Sequence, residues 1–422
     1  MRFIGFLISI ALLFGFIYTL DALTFSGIRA LVGETGPDWL LPLLESLYWS
    51  VSMLLPVTAV YGFITLRKNH SPALWVKLAV NGWITQLITQ LVFVVLWLGG
   101  TLLLTLVSKG GQLLVGQQWY LAVAANSEAV AYTVLVVAAL IAAIVFFSFV
   151  YGSYKGKYRY KLHRHVLYFD DLPAAFDGFT ITQISDIHSG SFGNKNAIQK
   201  GIDLINKQKS DLFLFTGDLV NNLAQEILPW KELFRQINAP FGQFSVLGNH
   251  DYGDYVAWPS REAKVQNMHN LIQYQRDMGF RLMLDEHVTI EKDGEKIVLI
   301  GIQNWGHGFS QYGDLNKALQ GVEDGTFRIL MSHDPSHFEH EVKDHDQKIH
   351  LTLSGHTHGM QMGFELFGWK WSPVKWRYPR WAGLYSANDR YLHINRGFGY
   401  LGFSGRVGIW PEVTVIELRR KL

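Results

Sequence analysis

The stretch Phe179–His188, which reads FTITQISDIH, decides the fold of the second half of this chain. Phe, Thr and Ile dominate its first six residues, and these residue types favour a β-strand. The run then ends in Asp186 and His188, which are two residues apart and so face the same way on an extended backbone. We therefore expect a strand whose carboxyl end directs a carboxylate and an imidazole at one place.

Four further short apolar runs end in the same kind of polar cluster. Leu212–Phe215 leads into Gly217-Asp218, Phe244–Leu247 into Gly248-Asn249-His250-Asp251, Phe327–Met331 into Ser332-His333-Asp334, and His350–Leu353 into Gly355-His356-Thr357-His358. In open α/β sheets the carboxyl ends of the strands form the ligand crevice. Strand ends from distant parts of the sequence can therefore meet in one place.

The segments between these runs have helical and hairpin patterns. Ile198, Ile202 and Ile205 form a helical stripe, and Arg261–Met278 is expected to be a helix. Asp293-Gly294 lies between two apolar runs, as in a β-hairpin. Strands that alternate with helices indicate an α/β domain with helices over the sheets.

The polar clusters contain the residue types of a metal site. The candidate ligands are Asp186, His188, Asp218, Asn249, His333, His356 and His358. Carboxylate and amide oxygens suit hard cations and imidazoles suit Zn, Fe, Mn or Ni, so the mixed set fits two divalent transition ions better than Mg²⁺ or Ca²⁺ alone. The chain has no cysteine, which excludes disulfides and thiolate ligands, and its net charge of +2 gives no argument for nucleic acid as a partner.

The part of the chain before Tyr151 is almost entirely apolar. Four stretches reach the length of about 20 residues that a transmembrane helix needs: Phe3–Leu20, Leu40–Leu66, Leu74–Val107 and Ala129–Tyr151. The first is either an uncleaved helix or a cleaved signal peptide, and the lack of a clear cleavage site favours the helix. No stretch has an ionisable residue near its centre, which argues against a transporter. Gln86 and Gln90 share a helix face and are expected to hydrogen-bond between helices, or else to line a polar pocket.

Short loops rich in Lys and Arg mark the cytoplasmic side of a membrane. Such residues follow the second and fourth stretches: Arg67, Lys68, Lys77, Lys155, Lys157, Arg159, Lys161 and Arg164. With four crossings, this distribution places both termini and the second half of the chain in the cytoplasm. The predicted domains are a transmembrane region over residues 1–151, a basic and aromatic juxtamembrane linker over 152–175, and a third domain over 176–422.

The five polar clusters, in their order along the chain, resemble the signature of calcineurin-like metallophosphoesterases. The motifs that carry the resemblance are Asp186-x-His188, Gly217-Asp218, Gly248-Asn249-His250-Asp251, His333 and Gly355-His356-x-His358. The tail motifs Tyr378-Pro379-Arg380, Gly383-Leu384-Tyr385 and Asn395–Gly399 resemble the membrane-anchored branch of YkuE-like proteins. The resemblance implies an α/β fold in which a multi-pass transmembrane helical bundle precedes a phosphoesterase domain of two mixed β-sheets flanked by helices. It also implies a location in the bacterial inner membrane.

The resemblance implies a role for each candidate residue. Asp186, His188 and His358 would hold one ion, Asn249, His333 and His356 would hold a second, and Asp218 would bridge the two, which would be Mn, Fe or Zn. His250 would protonate or stabilise the leaving group, and Asp251 would orient His250. The sequence departs from the family at Asn221, where a second acidic residue is common.

The implied activity is hydrolysis of phosphodiester or pyrophosphate bonds by a hydroxide that two metal ions activate. The substrate would be lipid-linked or nucleotide-linked and met at the membrane surface, and a catalytically silent membrane scaffold is the alternative. Arg380 and Arg396 are candidate phosphate clamps, because a guanidinium matches phosphate oxygens. Phe364–Trp381, rich in Trp, Lys and Arg, is either a segment at the membrane interface or a loop packed over the sheet.

Overall fold

The computed structural model describes residues 2–33, 37–69, 74–119 and 125–421, and the side chains of all of these except 2–4, 6–7 and 63–69. Arg67 and Lys68, on which the predicted membrane orientation partly depends, therefore lie outside the described side chains. The chain divides into two compact units, Met1–Tyr151 and Gly152–Leu422.

Four long helices form the first unit. They are α1 (Arg2–Val32), α2 (Leu40–Asn69), α3 (Leu74–Val115) and α4 (Ser127–Tyr154). Each is long and apolar enough to cross a membrane, and only 6% to 22% of its most apolar window is buried within the protein. A protein surrounded by water rarely exposes apolar surface of this extent. The helices are therefore suited to contact with lipid.

The first helix is longer than the apolar run at its start. From the sequence, the first stretch ends at Leu20, but α1 continues to Val32 and its membrane-compatible span is Ile8–Val32. Asp21 lies inside this span, with 13 residues before it and 11 after it. The prediction that no stretch has a central ionisable residue is therefore wrong. The prediction failed because it took the end of the apolar run, just before Asp21, as the end of the helix. A single carboxylate ends an apolar run but does not end a helix.

The second unit contains two six-stranded sheets and a separate hairpin. In spatial order, the first sheet consists of β1 (Lys161–Phe169), β14 (Glu412–Arg420), β2 (Thr180–Ile184), β3 (Leu212–Phe215), β4 (Gln243–Ser245) and β5 (Arg281–Leu282). The second consists of β12 (Gly383–Ala387), β13 (Arg390–Ile394), β9 (Leu351–Ser354), β8 (Arg328–Met331), β7 (Glu295–Gly301) and β6 (Glu286–Lys292). The hairpin is β10 (Phe364–Leu366) with β11 (Trp369–Trp371). Each large sheet has parallel and antiparallel pairs, which confirms the predicted mixed sheets.

Alternate side chains of the strands build the core between the two sheets. Ile181 of β2 and Leu212 of β3 share a buried apolar cluster with Leu299 of β7, Ile329 of β8 and Leu353 of β9. Because all five are fully buried and come from both sheets, this cluster holds the sheets face to face.

Helices cover the outer faces of the sheets. They are α5 (Lys195–Lys207), α6 (Lys231–Phe234), α7 (Arg261–Asp277) and α8 (Leu315–Ala318). The predicted stripe Ile198, Ile202 and Ile205 is buried in one cluster with Phe213 and Phe215 of β3. The strands therefore have apolar neighbours on both faces, and their carboxyl ends are held in place by packing on two sides.

Part of the predicted linker over 152–175 belongs to the first sheet. Its residues Lys161–Phe169 form β1, which pairs in parallel with β14 along its whole length. Leu167 and Phe169 are buried in the core between the sheets, while Val166 and Tyr168 face outward. Of the basic residues named in this linker, Lys161 and Arg164 thus lie on an edge strand whose alternate side chains pack into the core.

Candidate metal centre

The predicted site residues follow five strands, β2, β3, β4, β8 and β9. In the first sheet β3 pairs with both β2 and β4, and in the second β8 pairs with β9, all in parallel. Parallel neighbours bring their carboxyl ends to the same edge. The loops after these strands therefore meet, as the sequence indicated.

The first ligand group is Asp186, His188 and His358. The three are buried, and each offers one ligand atom within 4.8 Å of the others. His358 Nε2 is 3.1 Å from Asp186 Oδ1 and 3.0 Å from His188 Nε2. Two imidazole nitrogens directed at each other beside a carboxylate are the arrangement that a divalent cation between them would satisfy.

The second group is Asp218, His333 and His356, again with ligand atoms within 4.8 Å of one another. His333 Nε2 is 3.2 Å from Asp218 Oδ2, and His356 Nδ1 is 2.9 Å from Asn249 Oδ1. The same Asp218 oxygen is 3.5 Å from His188 Nε2 in the first group. One carboxylate oxygen therefore lies between the two groups.

Two features of this backbone and these side chains fit a metal centre. Asp186, His188, Asp218, His356 and His358 all have positive φ between 46° and 67°. Such conformations cost about 1–3 kcal/mol each in residues other than glycine, and they concentrate at functional sites. In addition, Nε2 of His333 is buried and makes no hydrogen bond of good geometry, although Asp218 Oδ2 lies 3.2 Å away. The nitrogen and oxygen donors present are those that suit Zn, Fe or Mn.

Glycines let the loops close on the ligands. A Cβ added at Gly248 would lie 2.2 Å from Asp218 Oδ1, and one at Gly355 would lie 2.3 Å from Asp186 Oδ2. Both distances are far below van der Waals contact, and the atoms met belong to buried carboxylates. Any side chain at either position would push a ligand out of place.

The ionisable side chains of the site differ in the direction in which their pKa values are shifted. Burial alone would raise the pKa of Asp218, but the neighbouring His333 and His250 hold it well below its usual range. Burial would lower the pKa of His333, yet the Asp218 carboxylate raises it to about 10. The pKa values of His188 and His356 are lowered, mainly by burial. Of His188, His333 and His356, His333 is therefore the one that carries a proton at neutral pH.

This proton makes metal affinity depend on pH. A cation held by His333 must displace the proton, because a metal ligand has to be deprotonated. The pKa of His333 is raised, so the proton competes with the metal below about pH 10 and competes more strongly as the pH falls. We expect affinity for Mn²⁺ to rise about tenfold per pH unit between pH 6 and pH 9 for each proton displaced. Calorimetric titrations in buffers of different ionisation enthalpy measure the protons released, and a titration without proton release would contradict this charge assignment.

His250 lies beside the two groups and is partly exposed. Its Nδ1 is 2.8 Å from the backbone carbonyl oxygen of Asn221, so Nδ1–H donates to that oxygen and Nε2 is the nitrogen that can exchange a proton. Its ring contacts His188, with ring centroids 5.0 Å apart. The departure from the family at Asn221 leaves this interaction intact, because the contact uses the backbone.

Asp251 does not orient His250, so that prediction is wrong. Its buried carboxylate accepts hydrogen bonds from the backbone N–H groups of Asp218, Leu219 and Gly248 at 2.8–2.9 Å. Burial and the nearby Asp218 charge raise the pKa of Asp251 to about 7. Its role is to tie the loop after β3 to the loop after β4, which fixes Asp218 and Asn249 relative to each other.

Two side chains that support His356 were missed. Tyr378 Oη lies 2.9 Å from His356 Nε2 and donates to Asp334 Oδ2 at 3.1 Å. With Nε2 directed at these groups, Nδ1 is the nitrogen that faces Asn249 and the metal centre. Both residues occur in motifs noted from the sequence, but 44 positions separate them and nothing local relates one to the other.

We expect Tyr378→Phe to weaken metal binding about 10- to 100-fold, the usual effect of removing a partner that orients a ligand. The phenyl ring keeps its packing, so the loss reports the hydroxyl alone. Mn²⁺ titration followed by calorimetry measures it. Tyr391→Phe, in β13 with its ring packed on Phe169, is the matched control and should bind like wild type. Equal loss in both variants would contradict the assigned role.

The two predicted phosphate clamps already hold carboxylates. Arg380 pairs with Glu339. Arg396 is buried and pairs with Glu412 at 2.5 Å and with Glu365 at 2.6 Å. These pairs neutralise both guanidinium groups, so the predicted clamp role is not supported.

A third guanidinium, that of Arg406, lies closer to the ligands. It is completely buried, donates to the carbonyl oxygens of Gly399 and Arg396, and has Nη2 3.3 Å from His358 Nδ1. It therefore helps to hold the loop that packs behind His358. Its position 48 residues after His358 left no signal in the sequence.

Comparison with known proteins agrees with this geometry. Residues 179–360 match the family model described as calcineurin-like phosphoesterase. The uncharacterized metallophosphoesterase YkuE of Bacillus subtilis is 29% identical over 275 residues, which cover 64% of this chain and 89% of YkuE. Phosphodiesterase YaeI of Escherichia coli is 28% identical, over 61% of this chain and 88% of YaeI. A zebrafish (Danio rerio) transmembrane protein with metallophosphoesterase domain is 25% identical, and the match spans 60% of this chain but only 55% of that protein. Residues 179–360 therefore form a calcineurin-like metallophosphoesterase domain, and this domain together with the metallophosphoesterase relatives supports a hydrolase.

Proposed function

We propose that this protein cleaves phosphodiester or pyrophosphate bonds with two divalent metal ions, acting at a membrane surface on a lipid-linked or nucleotide-linked substrate. The observation that carries the two-metal part is the Asp218 oxygen shared by the two ligand groups. Asp186, His188 and His358 would hold one ion, and His333, His356 and Asn249 the other, with Asp218 between them. Bound there, the ions would polarise the phosphoryl group and lower the pKa of a water.

The side chains around the ligands support this chemistry. Asn249 Oδ1 lies 2.9 Å from His356 Nδ1, and Asn249 Nδ2 donates to Tyr255 Oη at 2.8 Å, which holds the amide oxygen toward the second group. His250, anchored through Nδ1 to the Asn221 carbonyl, can deliver a proton from Nε2 to a departing oxygen. A donor at the solvent edge of the site can be reprotonated from water between turnovers.

A cavity next to Asn249 can receive the rest of the substrate. Its volume is about 390 Å³, and aromatic side chains form much of its wall: Tyr252, Tyr255, Phe309 and Tyr312. Tyr252 and Tyr312 stack with ring centroids 4.2 Å apart. The cavity has the size of a small-molecule site, and its rings suit a planar base or an acyl group better than a bare phosphate.

The aromatic segment Phe364–Trp381 supports action at a lipid surface. Phe367 is 92% exposed, Trp369 79% and Trp376 77%. Trp381, in contrast, is buried against Ile409, so only this end of the segment packs over the sheet. Exposed Trp and Phe among Lys and Arg are typical of segments that lie in the head-group region. Glu365 of the same hairpin holds Arg396 at 2.6 Å, which ties the exposed segment to the loop behind His358.

We further propose that the metallophosphoesterase domain lies in the cytoplasm, beside the inner membrane of a bacterium. The cluster of basic residues that follows the fourth apolar stretch supports this orientation. Insertion mapped with reporter fusions at Val115 and at the carboxyl end would test it. If a reporter that works only outside the cytoplasm were active when fused to the carboxyl end, this orientation would be contradicted.

The proposal that the protein acts at a membrane surface can be tested directly with alkyl p-nitrophenyl phosphodiesters that carry either a methyl group or a long alkyl chain. With the full-length protein in nanodiscs, we expect kcat/KM for the long-chain ester to exceed that for the methyl ester. In the double variant Phe367→Ser/Trp369→Ser, the ratio of kcat/KM for the long-chain ester to kcat/KM for the methyl ester should fall about tenfold. The reason is that the apolar side chains that enter the lipid are gone. Hydrolysis of the methyl ester should stay unchanged. A wild-type rate independent of chain length would favour a soluble substrate, with the helices only as a tether.

A further inference from the structure

Three helices of the first unit surround the carboxylate of Asp21. Its Oδ1 accepts hydrogen bonds from Tyr48 Oη at 3.0 Å, Ser52 Oγ at 2.9 Å and Gln90 Nε2 at 2.6 Å. Gln86 Nε2 adds a longer contact at 3.3 Å and also donates to Ser52 Oγ. The interhelical hydrogen bonds expected of Gln86 and Gln90 are thus formed, and they converge on one buried carboxylate from α1.

Two members of the cluster lie near the middle of the membrane-compatible spans of α1 and α2. Asp21 is close to the centre of Ile8–Val32, and Ser52 is close to the centre of Leu40–Gly62, with 12 residues before it and 10 after it. Water is scarce at this depth of a bilayer. An ionisable side chain there is costly, and such residues commonly mark an ion or substrate site.

The partners of Asp21 are all uncharged. They are two hydroxyl groups and two amides, and among the side chains that the structure describes no Lys or Arg lies within ion-pair distance of this carboxylate. The nearest basic residue along α1, Arg29, pairs with Glu45, and both side chains are exposed. The hydrogen bonds stabilise a negative charge on Asp21 but do not neutralise it.

The two amides leave oxygen atoms without donors. Oε1 of Gln86 and Oε1 of Gln90 are buried and make no hydrogen bond. A buried polar atom without a hydrogen-bond partner destabilises the folded protein. A half-turn of each amide would bring these oxygens toward the carboxylate, since the two ends of an amide have nearly the same shape. The cluster would then present five oxygen ligands, from one carboxylate, two amides and two hydroxyls.

We infer that Asp21, Tyr48, Ser52, Gln86 and Gln90 form an intramembrane binding site for a sodium ion. One carboxylate balances one monovalent charge, whereas a divalent cation would remain half neutralised. A proton on Asp21 would satisfy only one of the two amide oxygens, while a sodium ion can be ligated by both. Oxygen ligands of this kind suit a hard cation. The inference does not depend on the hydrolase activity of the second unit.

The test is binding of ²²Na⁺ to the purified full-length protein in nanodiscs, with choline chloride to hold the ionic strength constant. We expect saturable binding at one site per chain that unlabelled NaCl displaces. Asp21→Asn should abolish it. Gln86→Met/Gln90→Met, which keeps the carboxylate and removes both amide oxygens, should weaken it at least tenfold. Glu45→Gln, which removes an exposed carboxylate from α2, is the matched control and should bind like wild type.

Thermal unfolding of the same samples gives a second readout. NaCl should raise the unfolding temperature of the wild type above its value in choline chloride, because a ligand that binds only the folded state stabilises it. This increment should vanish in Gln86→Met/Gln90→Met, which keeps the test decisive if Asp21→Asn does not fold. Saturable binding absent from the wild type, or retained in the folded double variant, would overturn the proposal. If the unfolding temperature changed with pH but not with sodium, the cluster would be a proton site, and this result would also overturn the proposal.

Discussion

Asp218→Asn should lower metal-dependent turnover of bis(p-nitrophenyl) phosphate by about 10³-fold or more. The carboxylate oxygen of Asp218 is 3.2 Å from His333 Nε2 and 3.5 Å from His188 Nε2, so it serves both ligand groups. The amide keeps the shape of the side chain but loses the negative charge that would hold two cations close together. Removing one electrostatic contact to a transition state typically costs about 10²–10³-fold, and this variant disturbs two metal positions at once.

The matched control for this variant is Asp203→Asn. Asp203 is exposed on α5, where its carboxylate accepts a hydrogen bond from Gln199, and its loss should leave turnover unchanged. Bound metal, measured by mass spectrometry of the dialysed protein, should fall below two ions per chain in Asp218→Asn only. Turnover above a tenth of the wild-type rate, with two ions still bound, would contradict the bridging role.

His250→Gln should lower kcat by about 10²–10⁴-fold for an ester with an alkyl leaving group, the usual contribution of a general acid, while metal content stays at the wild-type level. His250 is anchored through Nδ1 to the Asn221 carbonyl oxygen and belongs to neither ligand group. The loss should be small for an ester with an acidic p-nitrophenol leaving group and large for an alkyl leaving group, which needs the proton. Single-turnover rates with both esters measure the difference.

His269→Gln is the control for this substitution, because His269 lies exposed on α7, outside the metal centre. It should behave like wild type with both esters. An equal loss in His250→Gln for both leaving groups would contradict proton donation and would favour a purely electrostatic role for the imidazole.

The clustering of the candidate ligands could be predicted because their signals are local. Asp186 and His188 stand two residues apart at the end of β2, and His356 and His358 do the same at the end of β9. Strand ends in parallel sheets converge by topology alone, so no knowledge of the packing was needed to bring them together.

The supporting residues could not be predicted, since their partners are far away in sequence. Tyr378 reaches His356 only after the chain has passed through the hairpin β10–β11. The family resemblance implied that Asp251 orients His250, but the turn after β4 directs the Asp251 carboxylate to backbone amides instead. Arg396 was expected to bind phosphate because the sequence does not show Glu365 and Glu412 around it.

Composition also gave a misleading picture of the first helix and of the segment that follows the fourth. Asp21 ended an apolar run although α1 continues beyond it, because hydroxyl and amide groups from α2 and α3 surround the carboxylate. Lys161–Phe169 was included in the predicted juxtamembrane linker, but its alternate residues pack into the core as β1. In both cases the decisive partner comes from another element.

The most direct test of the two-metal account is to strip the purified full-length protein with a chelator and return Mn²⁺ stepwise. Bound Mn²⁺ and hydrolysis of bis(p-nitrophenyl) phosphate are then measured on the same samples. The account predicts no turnover in the stripped protein and a maximum reached only as the second ion per chain binds. Full turnover with one ion or none, or no turnover with any divalent metal in the folded protein, would contradict it.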